Sequence, residues 1–169
     1  MRKFLEYTLF FIILLVVQVM LLDNLNLSMY ISPLAYVAFL VLLPLGTPHG
    51  LLVIIGFAAG VVLDFFLGTG GLHAIASTFT AFVRPGIMNL TLGRDFARDS
   101  SGVFTRREML TPKWIRYTAV LTILHCAVYF LFEALTWKYF GLTLLKIVLS
   151  SVVTALIAIF IGAYYPVKR

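Results

Sequence analysis

One cysteine and seven acidic residues are all that this chain of 169 residues offers to much of the chemistry of soluble proteins. A lone Cys126 excludes a disulfide framework and a thiolate zinc cluster. It lies in an apolar stretch, where a cysteine behaves as a small buried hydrophobe. Charged residues make up 12% of the chain, against roughly 25% in a typical soluble domain. So few charges cannot coat a globule of this size in water. The sequence has no Walker loop, no His-Glu-x-x-His pair and no Gly-x-Ser-x-Gly elbow. The two histidines inside apolar segments, His73 and His125, stand on different segments and make no metal site. Neither an enzyme nor a cofactor or metal protein is expected.

What remains is hydrophobic: 62% of the residues, with 15% aromatic and a mean hydropathy of +1.03. An all-α integral membrane protein follows, built as one polytopic domain over 1–169. Many segments are rich in Val, Ile and Phe, but open strands cannot satisfy their backbone in lipid. The period-2 alternation of a membrane barrel is missing too. Six spans are expected, at about 4–22, 30–45, 51–67, 72–90, 117–136 and 142–165. Arg2 and Lys3 before the first apolar run resemble a signal peptide. No small-residue cleavage pattern follows Leu22, so the segment reads as a span.

Thirteen Lys and Arg give a net charge of +6. In a soluble protein that excess would point to nucleic acid; at span ends it points to anionic lipid headgroups instead. With six spans, eleven of the thirteen basic residues fall on one side: Arg2, Lys3, Arg84, Arg94, Arg98, Arg106, Arg107, Lys113, Arg116, Lys168 and Arg169. Lys138 and Lys146 fall on the other. The bias places both termini, and a basic loop over 91–116, in the cytoplasm. That loop is expected to be a solvated positive-inside segment or a docking segment for a cytoplasmic partner. Trp114, beside Lys113 and Arg116, reads as an interfacial anchor.

Polar residues inside spans need partners or a function. Asp64 precedes the Gly68–Gly71 turn and His73 follows it, so an antiparallel hairpin brings them to one depth. Asp64 is expected to bond His73 or the free N–H groups opening the fourth span. A cap that holds the hairpin, a proton- or ligand-handling group and a partner contact are the three roles open to it. Glu133 and Lys146 flank Tyr139 at nearly equal distance, which predicts an ion pair between the last two spans. His125, Tyr129 and Glu133 form a polar stripe at helical spacing that lines a cavity or bonds a neighbouring helix. Gly56 and Gly60 form a small-xxx-small pattern suited to close helix approach, internally or with another protein. Arg84-Pro85 places a proline that bends or ends the fourth span next to an arginine able to snorkel or bond freed carbonyls.

Several of these segments together resemble a known family. They are Ile31-Ser32-Pro33 to Leu43-Pro44-Leu45, Gly56 to Gly60 with Asp64, Gly68-Thr69-Gly70-Gly71-Leu72-His73-Ala74, Arg84-Pro85, and His125, Tyr129 and Glu133 with Ser150. This pattern resembles the rod shape-determining protein MreD, in the form found in the Bacteroidetes group. The resemblance implies a non-enzymatic subunit of the peptidoglycan elongation machinery in the bacterial inner membrane. It implies contact with MreC, and through it with MreB filaments, RodA and a class B penicillin-binding protein. It also implies six helices similar to the substrate-binding subunits of ECF transporters. A partner's span would pack on the Gly56/Gly60 face. The alternative is a vitamin-type binding subunit with a pocket lined by Asp64, His73, His125, Tyr129 and Glu133.

Overall fold

The computed structural model describes residues 2–22, 31–93, 111–135 and 140–164. The described residues are all-helical. The elements are α1 (Arg2–Val16), running on as a π turn over Val17–Leu22, then α2 (Val37–Leu42), α3 (His49–Leu67), α4 (Leu72–Thr91), α5 (Pro112–Ala134) and α6 (Phe140–Tyr164). Four of them are long and apolar enough to cross a membrane: the first over Leu5–Leu22, then α3, α5 and α6. α4 matches them in length, at 20 residues, but carries His73, Ser77, Thr80, Arg84 and Asn89 along its course.

The second segment departs from the single helix expected there. Instead of a helix over 30–45, the chain makes six helical residues flanked by irregular backbone. Pro33 and Pro44 bracket this stretch, and a proline cannot donate to a helical ladder. The segment is nonetheless the centre of the molecule. Every residue from Leu34 to Leu43 is at most 6% exposed. α1, α4, α5 and α6 all pack against α2. Phe10 and Phe11 of α1 lie against Phe39, with ring centroids 6.4 and 4.9 Å apart. Irregular backbone at membrane depth survives only when protein surrounds it, and here protein does.

The outward faces carry the opposite pattern. Leu51, Ile54, Phe57, Val61, Phe65 and Phe66 of α3 are exposed, as are Leu145, Val148, Val152, Leu156 and Phe160 of α6. Such faces suit a hydrocarbon solvent. α3 and α4 form an antiparallel hairpin that closes tightly at the two predicted glycines. A Cβ on Gly60 would stand 2.5 Å from the His73 carbonyl oxygen, and one on Gly56 would stand 2.7 Å from the Ala81 Cβ. Both glycines are buried under α4. The small-residue face therefore packs internally, and the expectation that a partner span would use it is overturned.

One boundary moves by more than a helical turn. α5 begins at Pro112, five residues before the expected fifth span, capped by the Thr111 hydroxyl, which accepts from the Trp114 N–H at 3.4 Å. Lys113, Trp114 and Arg116 thus belong to a helix. Trp114 is 1% exposed, so it is a core residue and not an interfacial anchor. The rest of the expected basic loop, over 94–110, lies outside the described residues.

Gly60→Ala forces backbone against backbone at the α3–α4 crossing. It should cost about 1–3 kcal/mol or misfold the protein. Gly46→Ala, where a new Cβ meets nothing within 4 Å, should leave the detergent melting temperature unchanged. Thermal melts of the two variants side by side check the difference.

Candidate functional site

The polar interior is organised around the broken segment, whose backbone groups are bonded in large part by side chains from other elements. At its beginning, the Ser32 N–H donates to Ser150 Oγ and the Leu34 N–H to Thr154 Oγ1, both at 3.0 Å. Ser150 and Thr154 are one turn apart on α6, so one face of one helix serves both. Gln18, in the π turn after α1, accepts from the Ala35 N–H at 2.8 Å through Oε1 and donates to the Pro33 carbonyl at 3.2 Å through Nε2. A single side-chain amide thus does what a neighbouring strand would do. The carbonyls of Leu34, Ala35 and Tyr36 accept from the N–H groups of Val37, Ala38 and Phe39.

The other end of α2 is held by Arg84. Its Nε donates to the Tyr117 hydroxyl at 2.9 Å, and its Nη2 donates to the Leu43 carbonyl, with the Val41 carbonyl at 3.5 Å. The Tyr117 hydroxyl also reaches the Val41 carbonyl at 3.4 Å. Arg84 is 1% exposed and does not snorkel. The carbonyls it bonds are those of α2, not carbonyls freed in its own helix. α4 runs through Pro85 without ending. A cation at the C-terminal end of a helix also meets the partial negative charge of its last carbonyls.

Between these ends, Tyr36 bonds His125 of α5 (hydroxyl to Nε2, 2.7 Å), and His125 Nδ1 lies 2.8 Å from Thr80 Oγ1 of α4. The Thr80 hydroxyl donates to the Ala76 carbonyl at 2.7 Å. With its proton so used, Thr80 accepts from Nδ1–H, and Nε2 accepts from Tyr36. One tautomer of His125 therefore completes a chain linking α2, α5 and α4. The rings of His73 and His125 both pack on Tyr36, at 5.4 and 5.3 Å, and Tyr129 closes on His73 at 4.7 Å.

The hairpin turn is held from across the turn. α4 starts after Gly71, which has φ 100° and no side chain to cap it. Asp64 of α3 does the capping, accepting from the His73 N–H at 3.0 Å and the Ala74 N–H at 2.8 Å. Thr69 donates to Oδ1 at 2.5 Å, and His73 Nδ1 lies 3.1 Å from the same oxygen. Gly68, at φ 67°, gives α3 its left-handed C-terminal cap. Both partners offered to Asp64 by the hairpin geometry are bonded at once.

The stripe of His125, Tyr129 and Glu133 divides. His125 and Tyr129 are buried, while Glu133 sits at the exposed end of α5 and pairs with Lys146 of α6 at 2.7 Å. Lys146 also lies 4.8 Å over the Phe130 ring. Glu133 therefore joins no pocket with the histidines. Of the side chains that hold the broken segment, Gln18, Thr154 and Tyr117 were not singled out from the sequence. Gln18 is a lone amide in an apolar run, and Ser150 and Thr154 are an i, i+4 polar pair on an otherwise apolar face; these were the available signals. Among the described residues no group of three His, Cys, Asp or Glu side chains could hold a metal ion.

No family model, curated protein or solved structure matches the chain.

Arg84→Met removes the donors to Leu43 and Tyr117 while keeping an unbranched apolar stem. It should cost about 3 kcal/mol or more, because buried carbonyls lose their partner. Glu133→Gln breaks a pair at an exposed helix end and should cost about 1 kcal/mol or less. Comparing the two unfolding midpoints in one detergent checks the ranking. A Glu133→Gln loss as large as that of Arg84→Met would contradict it.

Proposed function

We propose that the chain is a non-enzymatic membrane scaffold of the rod shape-determining MreD type, acting in the bacterial inner membrane through contact with MreC. The observation that carries this reading is the engagement of the interior polar groups. Gln18, Ser150, Thr154, Arg84 and Asp64 bond the protein's own backbone, and His125 bonds the hydroxyls of Tyr36 and Thr80. Groups held in this way brace helices. They present no reactive atom toward a cavity. The segment motifs carrying the resemblance fall on this same framework: Pro33 and Pro44 bracket α2, Asp64 and His73 close the hairpin, and Arg84 seats α2.

The vitamin-type alternative needs a ligand where residues 34–43 already lie, with His73 and His125 at 1% and 0% exposure. The scaffold reading needs an outward surface instead. Since Gly56 and Gly60 lie under α4, MreC's single span must use a lipid-facing side. An open apolar groove of about 590 Å³ between α3 and α4, lined by Val53, Phe57, Ile75, Thr78, Phe79 and Phe82, is one such side. On this reading both termini and the basic 91–116 stretch face the cytoplasm, where MreB, RodA and the penicillin-binding protein are reached indirectly through the complex.

Depletion in the native cell tests the proposal. Rods should round up while their nutrient requirements stay unchanged. Cells that keep their shape but require a vitamin would overturn the scaffold reading in favour of the binding subunit.

A further inference from the structure

α4 is tied to its neighbours unevenly along its length. From His73 to Arg84 it is pinned at every turn. Asp64 takes the His73 and Ala74 N–H groups, Gly60 and Gly56 bring α3 against Ala74 and Ala81, and Thr80 bonds His125. His49 Nε2 bonds the Phe82 carbonyl at 3.0 Å, and Arg84 joins α2 and α5. From Pro85 to Gly93, among the described residues, no side chain makes a polar bond to another element. The Thr91 hydroxyl donates within the helix, to the Ile87 carbonyl. What holds this part is the apolar burial of Ile87, Met88 and Leu92. The change comes where the ladder is interrupted. Pro85 cannot donate to the Ala81 carbonyl, and Gly86 follows with open space around its Cβ position.

We propose that Pro85 and Gly86 form a hinge in α4, with Arg84 as its fixed stop. The 86–92 segment pivots there while the residues before it stay seated on α2, α3 and α5. Proline and glycine are the usual causes of helix bending, and a bend needs one side held. Here the held side is defined residue by residue. Movement imposed beyond Gly93 is absorbed at the hinge, while the polar bonds that seat α2 stay in place. The inference is independent of the scaffold reading, since it rests on how α4 is held and not on what the protein contacts.

Double electron–electron resonance on the full chain in lipid nanodiscs tests it. Spin labels go on Phe65→Cys with Leu90→Cys, across the hinge, and on Phe65→Cys with Phe82→Cys, before it; all three positions are exposed. Buried Cys126 should stay unlabelled and so report that each variant is folded. The Phe65–Leu90 distance distribution should be about twice as wide as the Phe65–Phe82 one. In Pro85→Ala, which restores the donor, it should narrow to the Phe65–Phe82 width. Equal widths with Pro85 in place would overturn the hinge. So would an undiminished width in a Pro85→Ala protein whose Cys126 remains unlabelled.

Discussion

Every backbone N–H and C=O placed inside an apolar medium needs a partner, and the segment from Ile31 to Leu43 meets that demand with borrowed side chains. A regular helix would have bonded itself. Pro44 stops one at Leu43, which takes an extended conformation, and only six residues become helical. The deficit at each end is then met by Gln18, Ser150 and Thr154 on one side and by Arg84 and Tyr117 on the other. These residues come from α1's π turn, α6, α4 and α5, so the positions of those elements are fixed by a single accounting problem. An unsatisfied group in hydrocarbon costs several kcal/mol. That cost exceeds what lateral helix packing in lipid, which lacks a hydrophobic drive, supplies at any one contact.

The α3–α4 hairpin solves a similar problem by another route. Its turn contains Gly68, Gly70 and Gly71 at positive φ, and the residue in the capping position, Gly71, has no side chain to cap α4. Asp64 reaches over from the preceding helix instead. The crossing below the turn is close because Gly60 and Gly56 have no Cβ to hold α4 away. One carboxylate and two glycines thus set the position of α4, and α4 in turn sets Arg84 and Thr80 at the height of α2.

What could be read from the sequence were features with a local rule behind them. Asp64 and His73 were paired by their distance from a glycine turn, and Glu133 and Lys146 by their distance from Tyr139. The membrane character follows from composition alone. The broken segment was harder, because its hydropathy is that of a span and its interruption is tertiary. Two prolines and a length below the roughly 20 residues of a crossing were the warning. Arg84 could reach headgroups or bond carbonyls on sequence grounds, and only the carbonyls at the end of α2, brought close by folding, decide for the inward one. Glu133 shows the opposite case. Helical spacing placed it with His125 and Tyr129, but the bundle ends before its turn does.

The bonds from Ser32 to Ser150 and from Leu34 to Thr154 join residues 118 and 120 positions apart. During synthesis the acceptors on α6 do not yet exist when the broken segment leaves the ribosome. At roughly 5–20 residues per second, about ten seconds separate the two. For that interval these amides stay unpaired with α6, and coiling of the segment would not satisfy N–H groups at its very start. The insertion machinery, or water at the membrane surface, has to shelter them until the last helix arrives. The two bonds that seat the start of the broken segment on α6 can therefore form only after nearly the whole chain has been made.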